Sequence, residues 1–142
     1  MSEQNGGQDL VEPRHGLVQG GDPGRVRAVQ FAPIGQLLDR VQAVVAAGGS
    51  GTALATLSRG LPMAFVPRIA NQPIVAAAVT DFGAGFVSGE DSVAVTSVVR
   101  RLLHEQGPRA RAQAASERLG QRPSPDEVWS ALRHRVHAST VR

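Results

Sequence analysis

An apolar run that leads directly into a glycine-rich turn constrains the fold more than any other feature of the chain. Residues 44–47 have the sequence Val-Val-Ala-Ala, and residues 48–52 have the sequence Gly-Gly-Ser-Gly-Thr. A short run with β-branched residues predicts a buried strand, and Ser50 or Thr52 stands where a helix can begin. The stretch therefore predicts a strand–turn–helix unit of an α/β fold, in which ligands bind beyond the carboxyl ends of the strands.

The same turn predicts a site for a phosphate group. The first N–H groups of a helix lack partners within the helix, and the helix dipole places positive charge there. Glycine lets a phosphate approach the backbone because no Cβ stands in the way. The alternative stays open, because many such turns contain glycine with nothing bound. A P-loop is excluded since the chain has no lysine, and Thr52 replaces the second glycine of a nucleophile elbow.

Composition limits the classes of function. The 142 residues suffice for one domain. All 15 basic residues are arginines scattered along the chain, the net charge is only +3, and aromatic residues make up 4%, so we expect no nucleic-acid binding. There is no cysteine, and the four histidines lack the spacing of a zinc site, so we expect no metal. No run approaches the length of a membrane span, and we expect a cytoplasmic protein.

The order of the predicted elements is strand and helix in alternation, followed by helices. This order predicts an α/β fold with a parallel sheet of about four strands, helices on both faces and a helical C-terminus. We expect a flexible segment over 1–24, one folded domain over 25–137 and a flexible tail over 138–142. Strands are predicted at 26–31, 44–47, 63–66 and 84–88, and helices at 34–40, 50–59, 71–78, 108–120 and 125–136. A further helix is predicted to begin at residue 91.

The apolar spacing also predicts which side chains point inward. The first helix is expected to bury Leu37 and Leu38, and the second to bury Ala53, Leu54 and Leu57.

Two features predict how later helices begin. Asn71 is expected to cap the third helix, and Ser124-Pro125-Asp126-Glu127 forms a capping box before the last one. On the last helix, Trp129 lies beside an apolar stripe, which either packs on this domain's own sheet or is covered by a partner.

Several motifs, taken in order, resemble a known family. They resemble the C-terminal, nucleotide-sugar-binding half of GT-B glycosyltransferases of the UDP-glycosyltransferase-like superfamily, in particular bacterial enzymes that glycosylate natural products. The resemblance covers about residues 26–136. Its motifs are Phe31-Ala32-Pro33 with Leu37-Leu38, the run Gly48-Gly49-Ser50-Gly51-Thr52, Gly60-Leu61-Pro62 with Pro67, Asn71-Gln72-Pro73, and the pair Gly83 and Gly85.

The resemblance implies a role for each motif. The donor would be a TDP- or UDP-sugar, with no other cofactor, and no catalytic residue or metal ligand is assigned. The base would face the backbone at Phe31 and Ala32. The diphosphate would bind at Gly49, Ser50, Gly51 and Thr52, and the sugar hydroxyls would contact Asn71 and Gln72.

The sequence departs from the family pattern in ways that keep several functions open. Ala46 and Ala47 stand where the family usually has a histidine, and Asn71 replaces an aspartate. No residues of this sequence resemble the family's acceptor domain, which holds the catalytic base. The first strand and helix of the family's donor domain also have no counterpart in the sequence. We therefore expect a donor-binding domain that is inactive alone. The alternatives are a non-catalytic partner or regulatory subunit of a glycosyltransferase and a non-functional fragment.

Two further expectations concern partners and charge. We expect a homodimer or a hetero-complex with an acceptor-binding chain. Arg68 either supplies charge in place of the histidine or is a solvated loop residue.

Overall fold

The computed structural model describes residues 31–139, which form a parallel sheet and helices in alternation. Most of the strand predicted over 26–31 and the whole segment 1–24 lie outside the described residues. The final helix extends to Ser139, two residues into the predicted tail. The elements are α1 (Ile34–Leu38), β1 (Val44–Ala46), α2 (Ser50–Ser58), β2 (Met63–Phe65), α3 (Gln72–Phe82), β3 (Gly85–Val87), α4 (Ser92–His104), α5 (Gln106–Gly120) and α6 (Pro125–Ser139).

Three parallel strands in the order β1-β2-β3 make up the sheet of the described part. Ala46 is in register with Phe65, and Phe65 with Val87. Parallel neighbours that follow each other in sequence need crossover connections, which α2 and α3 provide. The α/β class with a parallel sheet is thus confirmed. The carboxyl ends of all three strands lie at the same edge of the sheet, so the segments that follow them are neighbours.

The core lies mainly on one face of the sheet. Met63 and Phe65 are fully buried there against alanines of three helices: Ala53 of α2, Ala76 of α3 and Ala112 of α5. Small side chains let the helix backbones approach the sheet closely. The core is therefore built around two large side chains from the central strand.

The opposite face is covered less completely. Ala64 is fully buried, and α4 packs against β2 and β3. Val45 on β1 is 46% exposed, because β1 is an edge strand of the described sheet. The prediction of a fully buried strand at 44–47 is thus wrong for this residue.

Two of the predicted inward side chains are exposed. Leu37 is 46% and Leu54 is 55% exposed, whereas Leu38 and Ala53 are buried. A helix as short as α1 presents one residue to the core, and Leu38 takes that place. In α2 the second buried position is Thr56, whose hydroxyl donates to the Thr52 carbonyl oxygen at 2.7 Å. This bond satisfies the hydroxyl, so a polar residue fits where the helix packs.

The C-terminal helices begin at polar caps. The Asp91 carboxylate accepts from the Ala94 N–H at 2.8 Å and caps α4. The capping box of α6 is confirmed: the Ser124 N–H donates to Glu127 Oε2 at 2.6 Å, and the Glu127 N–H donates to Ser124 Oγ at 3.2 Å. The bond from the Ser124 N–H to the carboxylate and, second to it, a hydrogen bond from the Ser124 side chain lower the pKa of Glu127.

The last helix packs little on the rest of the domain. Every residue from 121 to 136 is exposed, including Trp129 at 60%. The alternative in which Trp129 packs on this domain's own sheet is therefore wrong. Within residues 31–139, no helix combines the length and the apolar character needed to cross a bilayer.

Candidate functional site

The candidate site lies at the carboxyl edge of the sheet, where the glycine turn follows β1 and the loop over 66–71 follows β2. The ladder continues past the strand ends, since the Val66 N–H donates to the Ala46 carbonyl oxygen at 3.0 Å. The turn and the loop are thereby held side by side. In open α/β sheets, ligands bind at this edge.

Gly48 brings the turn against the start of α3. Its φ is +104°, a conformation that residues with a Cβ rarely adopt. A Cβ at this position would lie 3.0 Å from the Gln72 carbonyl oxygen and 3.3 Å from Phe65 Cδ1. Only glycine fits both the backbone angle and the space. The structure thus brings together two of the predicted site segments, the turn and the Asn71-Gln72 pair.

The N-terminus of α2 presents free backbone donors. Gly49 is the N-cap and offers no side-chain cap, and the first intrahelical bond runs from the Ala53 N–H to the Gly49 carbonyl oxygen at 3.0 Å. Among residues 31–139, the N–H groups of Ser50, Gly51 and Thr52 therefore have no hydrogen-bond acceptor. These three donors and the positive end of the helix dipole act in the same direction, which favours an anion.

The space in front of these donors is open. A Cβ at Gly49 or at Gly51 would have no heavy atom within 4 Å. Ser50 is exposed and Thr52 is half-buried. The turn is therefore accessible, and the chemistry it offers is hydrogen bonding to an anion through the main chain and the Thr52 hydroxyl.

The Gln72 side chain is partly engaged within the protein. Its Oε1 accepts from the N–H groups of Arg68 and Ile69, at 2.9 and 3.1 Å. The carboxamide thereby fixes the loop after β2, in which Ala70 has a positive φ of 54°. Only the amide nitrogen of Gln72 remains for a ligand. This bond could not be predicted from the sequence, because its partners are backbone groups.

Asn71 occupies the N-cap position of α3 but does not cap it. Its backbone is helical, with φ −84° and ψ 0°, and its side chain makes no capping bond. The prediction of an asparagine cap is thus right in position and wrong in mechanism. Because the residue is exposed, its carboxamide lies at the surface beside the turn.

Arg68 forms an ion pair that the sequence analysis missed. Its Nε lies 3.1 Å from Glu90 Oε1, and its second contact joins a terminal guanidinium nitrogen to Glu90 Oε2 at 3.2 Å. Glu90 follows β3 at the same edge of the sheet, which is the signal that could have identified it. The side chains of Arg68 and Glu90 are 66% and 62% exposed, so Arg68 is a solvated loop residue that carries an ion pair. The paired carboxylate offsets part of its charge, and a role in place of the histidine stays a prediction.

The segment at residues 31 and 32 is not joined to the turn. Phe31 is 80% exposed, and in the described part of the chain no hydrogen bond links Phe31 or Ala32 to residues 48–52. The following helix α1 contacts the C-terminal part of α2 instead, through an ion pair between Asp39 and Arg59. The predicted base-facing segment therefore stays a prediction. Across residues 31–139, no group of three histidine or acidic side chains could hold a metal ion.

Comparison with known proteins supports a single family. Residues 12–134 match the family model described as erythromycin biosynthesis protein CIII-like, C-terminal domain. The chain is 36% identical over 110 residues to the elloramycin glycosyltransferase of Streptomyces olivaceus, an alignment covering 78% of this chain and 28% of that protein.

Solved structures of glycosyltransferases superpose on the described part of this chain. The glycosyltransferase SnogD from Streptomyces nogalater superposes with a TM-score of 0.71 and 31% identity, over 81% of this chain and 31% of that one. The glycosyltransferase VinC, solved in complex with dTDP, superposes with a TM-score of 0.75 and 29% identity, over 81% of this chain and 30% of that one. The chain thus spans less than a third of the length of each of these proteins.

Proposed function

We propose, because the chain belongs to the family of erythromycin biosynthesis protein CIII-like C-terminal domains, that it binds the diphosphate of a nucleotide-sugar at the N-terminus of α2. The observation that carries the proposal is the set of three backbone N–H groups, at Ser50, Gly51 and Thr52, that have no acceptor among residues 31–139 and face open space. A diphosphate supplies acceptor oxygens and negative charge, which match these donors and the helix dipole.

The donor we propose is a TDP- or UDP-sugar. A protein of similar structure, VinC, was solved in complex with dTDP, and this supports a nucleoside diphosphate over a simple anion. In this proposal the sugar contacts Asn71 and the amide nitrogen of Gln72, both next to the turn. The base lies against the backbone at Phe31 and Ala32.

The proposed role is to bind the nucleotide-sugar donor for transfer of its sugar to a natural product. In this proposal the natural product binds to residues outside 31–139. Ala46 and Ala47 offer no side-chain donor to the leaving diphosphate. Loss of one preorganised donor to a developing anion costs about 2.7–4 kcal/mol, which is a factor of about 10²–10³ in rate. The main-chain donors are unaffected by this loss. We therefore propose that binding of the donor persists while the domain alone does not accelerate transfer.

A titration with dTDP tests this proposal directly. We expect the backbone amide resonances of Ser50, Gly51 and Thr52 to shift in ¹⁵N-edited NMR spectra as dTDP or UDP is added, since these N–H groups would gain acceptors. Thr52→Val is expected to weaken binding by a factor of about 5, because one hydroxyl bond of about 1 kcal/mol is lost while the shape is kept. Ser58→Ala, at the far end of α2, serves as the control. Unchanged spectra at millimolar dTDP would overturn the proposal.

The second candidate is a non-catalytic partner of a complete glycosyltransferase. Ala46 and Ala47 favour it, because the family's usual histidine is missing while the fold is kept. Ala47→His distinguishes the two functions, since Ala47 is exposed and directly precedes the turn. If the native chain already binds dTDP and Ala47→His only tightens it, the donor-binding role is supported. If dTDP binds only after the substitution, the non-catalytic role is supported.

A further inference from the structure

A groove opens to solvent where α2, α3 and α5 meet, and we call it the three-helix groove. Its volume is about 310 Å³. Val79 and Ala115, which are 7% and 9% exposed, form its floor, and Leu54, which is 55% exposed, stands at its rim. The groove contains no residue of the glycine turn or of the loop over 66–71. Its apolar lining also includes Leu57, Phe82 and Leu119.

The lining of the three-helix groove offers water few partners. Seven of its eight lining side chains are apolar. The lining residues belong to helices, whose main-chain N–H and C=O groups bond to each other within the helix. Water in such a groove loses hydrogen bonds, so a hydrocarbon group that replaces it gains free energy. The groove therefore favours a ligand with an apolar body.

Arg118, the one charged lining residue, adds a requirement for charge. Its guanidinium carbon lies 5.4 Å from the centroid of the Phe82 ring, which is within the range of a cation–π contact. Among residues 31–139, Arg118 forms no ion pair with a carboxylate. A guanidinium binds a carboxylate through two parallel hydrogen bonds. A ligand with an apolar body and a carboxylate at one end thus complements both the lining and its charge.

The size of the groove indicates a small molecule. Its volume is near the lower end of the roughly 300–1,000 Å³ found for small-molecule sites. It equals that of about ten water molecules in the liquid, and an aliphatic chain of about ten carbon atoms takes up a similar space. A protein interface uses roughly 20–30 residues on each side, many more than the eight that line this groove.

We propose that the three-helix groove binds a free aliphatic carboxylate of medium chain length. The chain lies along Val79 and Ala115, and the carboxylate accepts hydrogen bonds from the Arg118 guanidinium. This site shares no residue with the proposed diphosphate site. The carboxylate and a nucleoside diphosphate therefore bind at the same time, and the proposal does not depend on dTDP binding.

A calorimetric titration of the full chain with sodium decanoate, below the concentration at which micelles form, tests the proposal. We expect saturable binding and shifts of the Leu57, Val79 and Ala115 amide resonances in ¹⁵N-edited NMR spectra. Decyltrimethylammonium has the same chain and the opposite charge, so it is expected to bind at least about tenfold more weakly. Absence of saturable decanoate binding at millimolar concentration overturns the proposal, and so do equal affinities for the two amphiphiles.

Two charge variants separate a specific contact from the net charge of the protein. Arg118→Gln is expected to weaken decanoate binding by at least about fivefold, because the charge-assisted hydrogen bonds to the carboxylate are lost. Arg122→Gln is the matched control, since it removes the same charge four residues further along the chain and outside the groove. Equal losses in the two variants would show that decanoate follows net charge, which overturns the proposal.

Two further variants test the position of the hydrocarbon chain. Leu54→Asp is expected to weaken decanoate binding by at least about tenfold, because it places a carboxylate at the rim of the apolar groove. Val93→Asp is its control, as Val93 is 77% exposed on α4 and lies outside this groove. Far-UV circular dichroism verifies that all variants remain folded. Equal weakening by both substitutions overturns the proposal, as does binding to phosphatidylglycerol vesicles without saturable binding of decanoate.

Discussion

Gly48 and Gly51 belong to one turn, yet the structure gives them opposite tasks. Gly48 is buried, has a positive φ and lies against the Gln72 backbone. Gly51 lies inside α2 and faces open space. The first glycine is needed for the fold, and the second keeps the space in front of the free N–H groups open. The sequence predicted a turn that receives a phosphate but could not separate these tasks, because the separation depends on what lies opposite each Cα.

Alanine substitutions at these two glycines are expected to have different effects. Gly48→Ala should lower the free energy of unfolding by about 2–4 kcal/mol, from the positive φ together with the contact to the Gln72 carbonyl oxygen. Gly51→Ala should leave stability unchanged or raise it by up to about 1 kcal/mol, since alanine favours a helix. Urea unfolding measures both. Equal losses at the two positions would contradict the packing of Gly48 described here.

Gly51→Ala also separates stability from binding. A Cβ in a helix points toward the N-terminal end, so the added methyl group would enter the space that the diphosphate is proposed to occupy. Weaker dTDP binding by a well-folded variant is the expected result.

At the scale of elements, the helices were predictable where caps and apolar spacing agreed. Asp91 starts α4 and the Ser124–Glu127 box starts α6, as their side-chain chemistry requires. The faces of the short helices were less predictable. Leu37 and Leu54 are as apolar as their buried neighbours, and only the position of the other helices decides which residue is covered.

The capping box makes the stability of α6 depend on pH. Two hydrogen bonds from Ser124 lower the pKa of Glu127 below its ordinary value of 4.5. A carboxylate with a lowered pKa stabilises the folded state above its unfolded pKa, and this contribution disappears as the pH falls through the folded pKa. Hydrogen exchange of the α6 amides, corrected for the intrinsic rate, should therefore show less protection at about pH 3 than at about pH 6.

Two variants isolate this carboxylate from other acids. Glu127→Gln is expected to reduce α6 protection at about pH 6 and to match the native chain more closely at about pH 3. Ser124→Ala should likewise shrink the dependence on pH, since it removes the side-chain hydrogen bond from Ser124 that is one of the two causes of the lowered pKa of Glu127. A difference between native chain and Glu127→Gln that stays constant over this range would argue against the capping role.

For the whole molecule, alternation of strands and helices was enough to predict a parallel sheet, because each crossover helix returns the chain to the edge of the sheet where the previous strand began. The order of the elements did not predict where residues 31 and 32 lie relative to the turn. It also did not predict that α6 is exposed. Both depend on contacts between segments far apart in sequence. Within residues 31–139, six of the 12 buried apolar residues are alanines, so the chain's mean hydropathy gives little indication that one central strand carries most of the core.

Two phenylalanines test this description of the core. Phe65 is fully buried at the centre of the sheet and touches the space beside Gly48, whereas Phe31 is 80% exposed. Phe65→Ala is expected to cost about 3–5 kcal/mol, a large share of the roughly 5–15 kcal/mol that keeps a domain folded. Phe31→Ala should change stability by less than about 0.5 kcal/mol. Thermal unfolding followed by circular dichroism compares the two. Similar losses for the two alanine variants would show that the sheet does not organise this domain as described.

A milder variant, Phe65→Leu, relates the core to the proposed site, because Phe65 also supports the turn. At 100 times its dissociation constant, dTDP should raise the free energy of unfolding of this variant by about 2.7 kcal/mol.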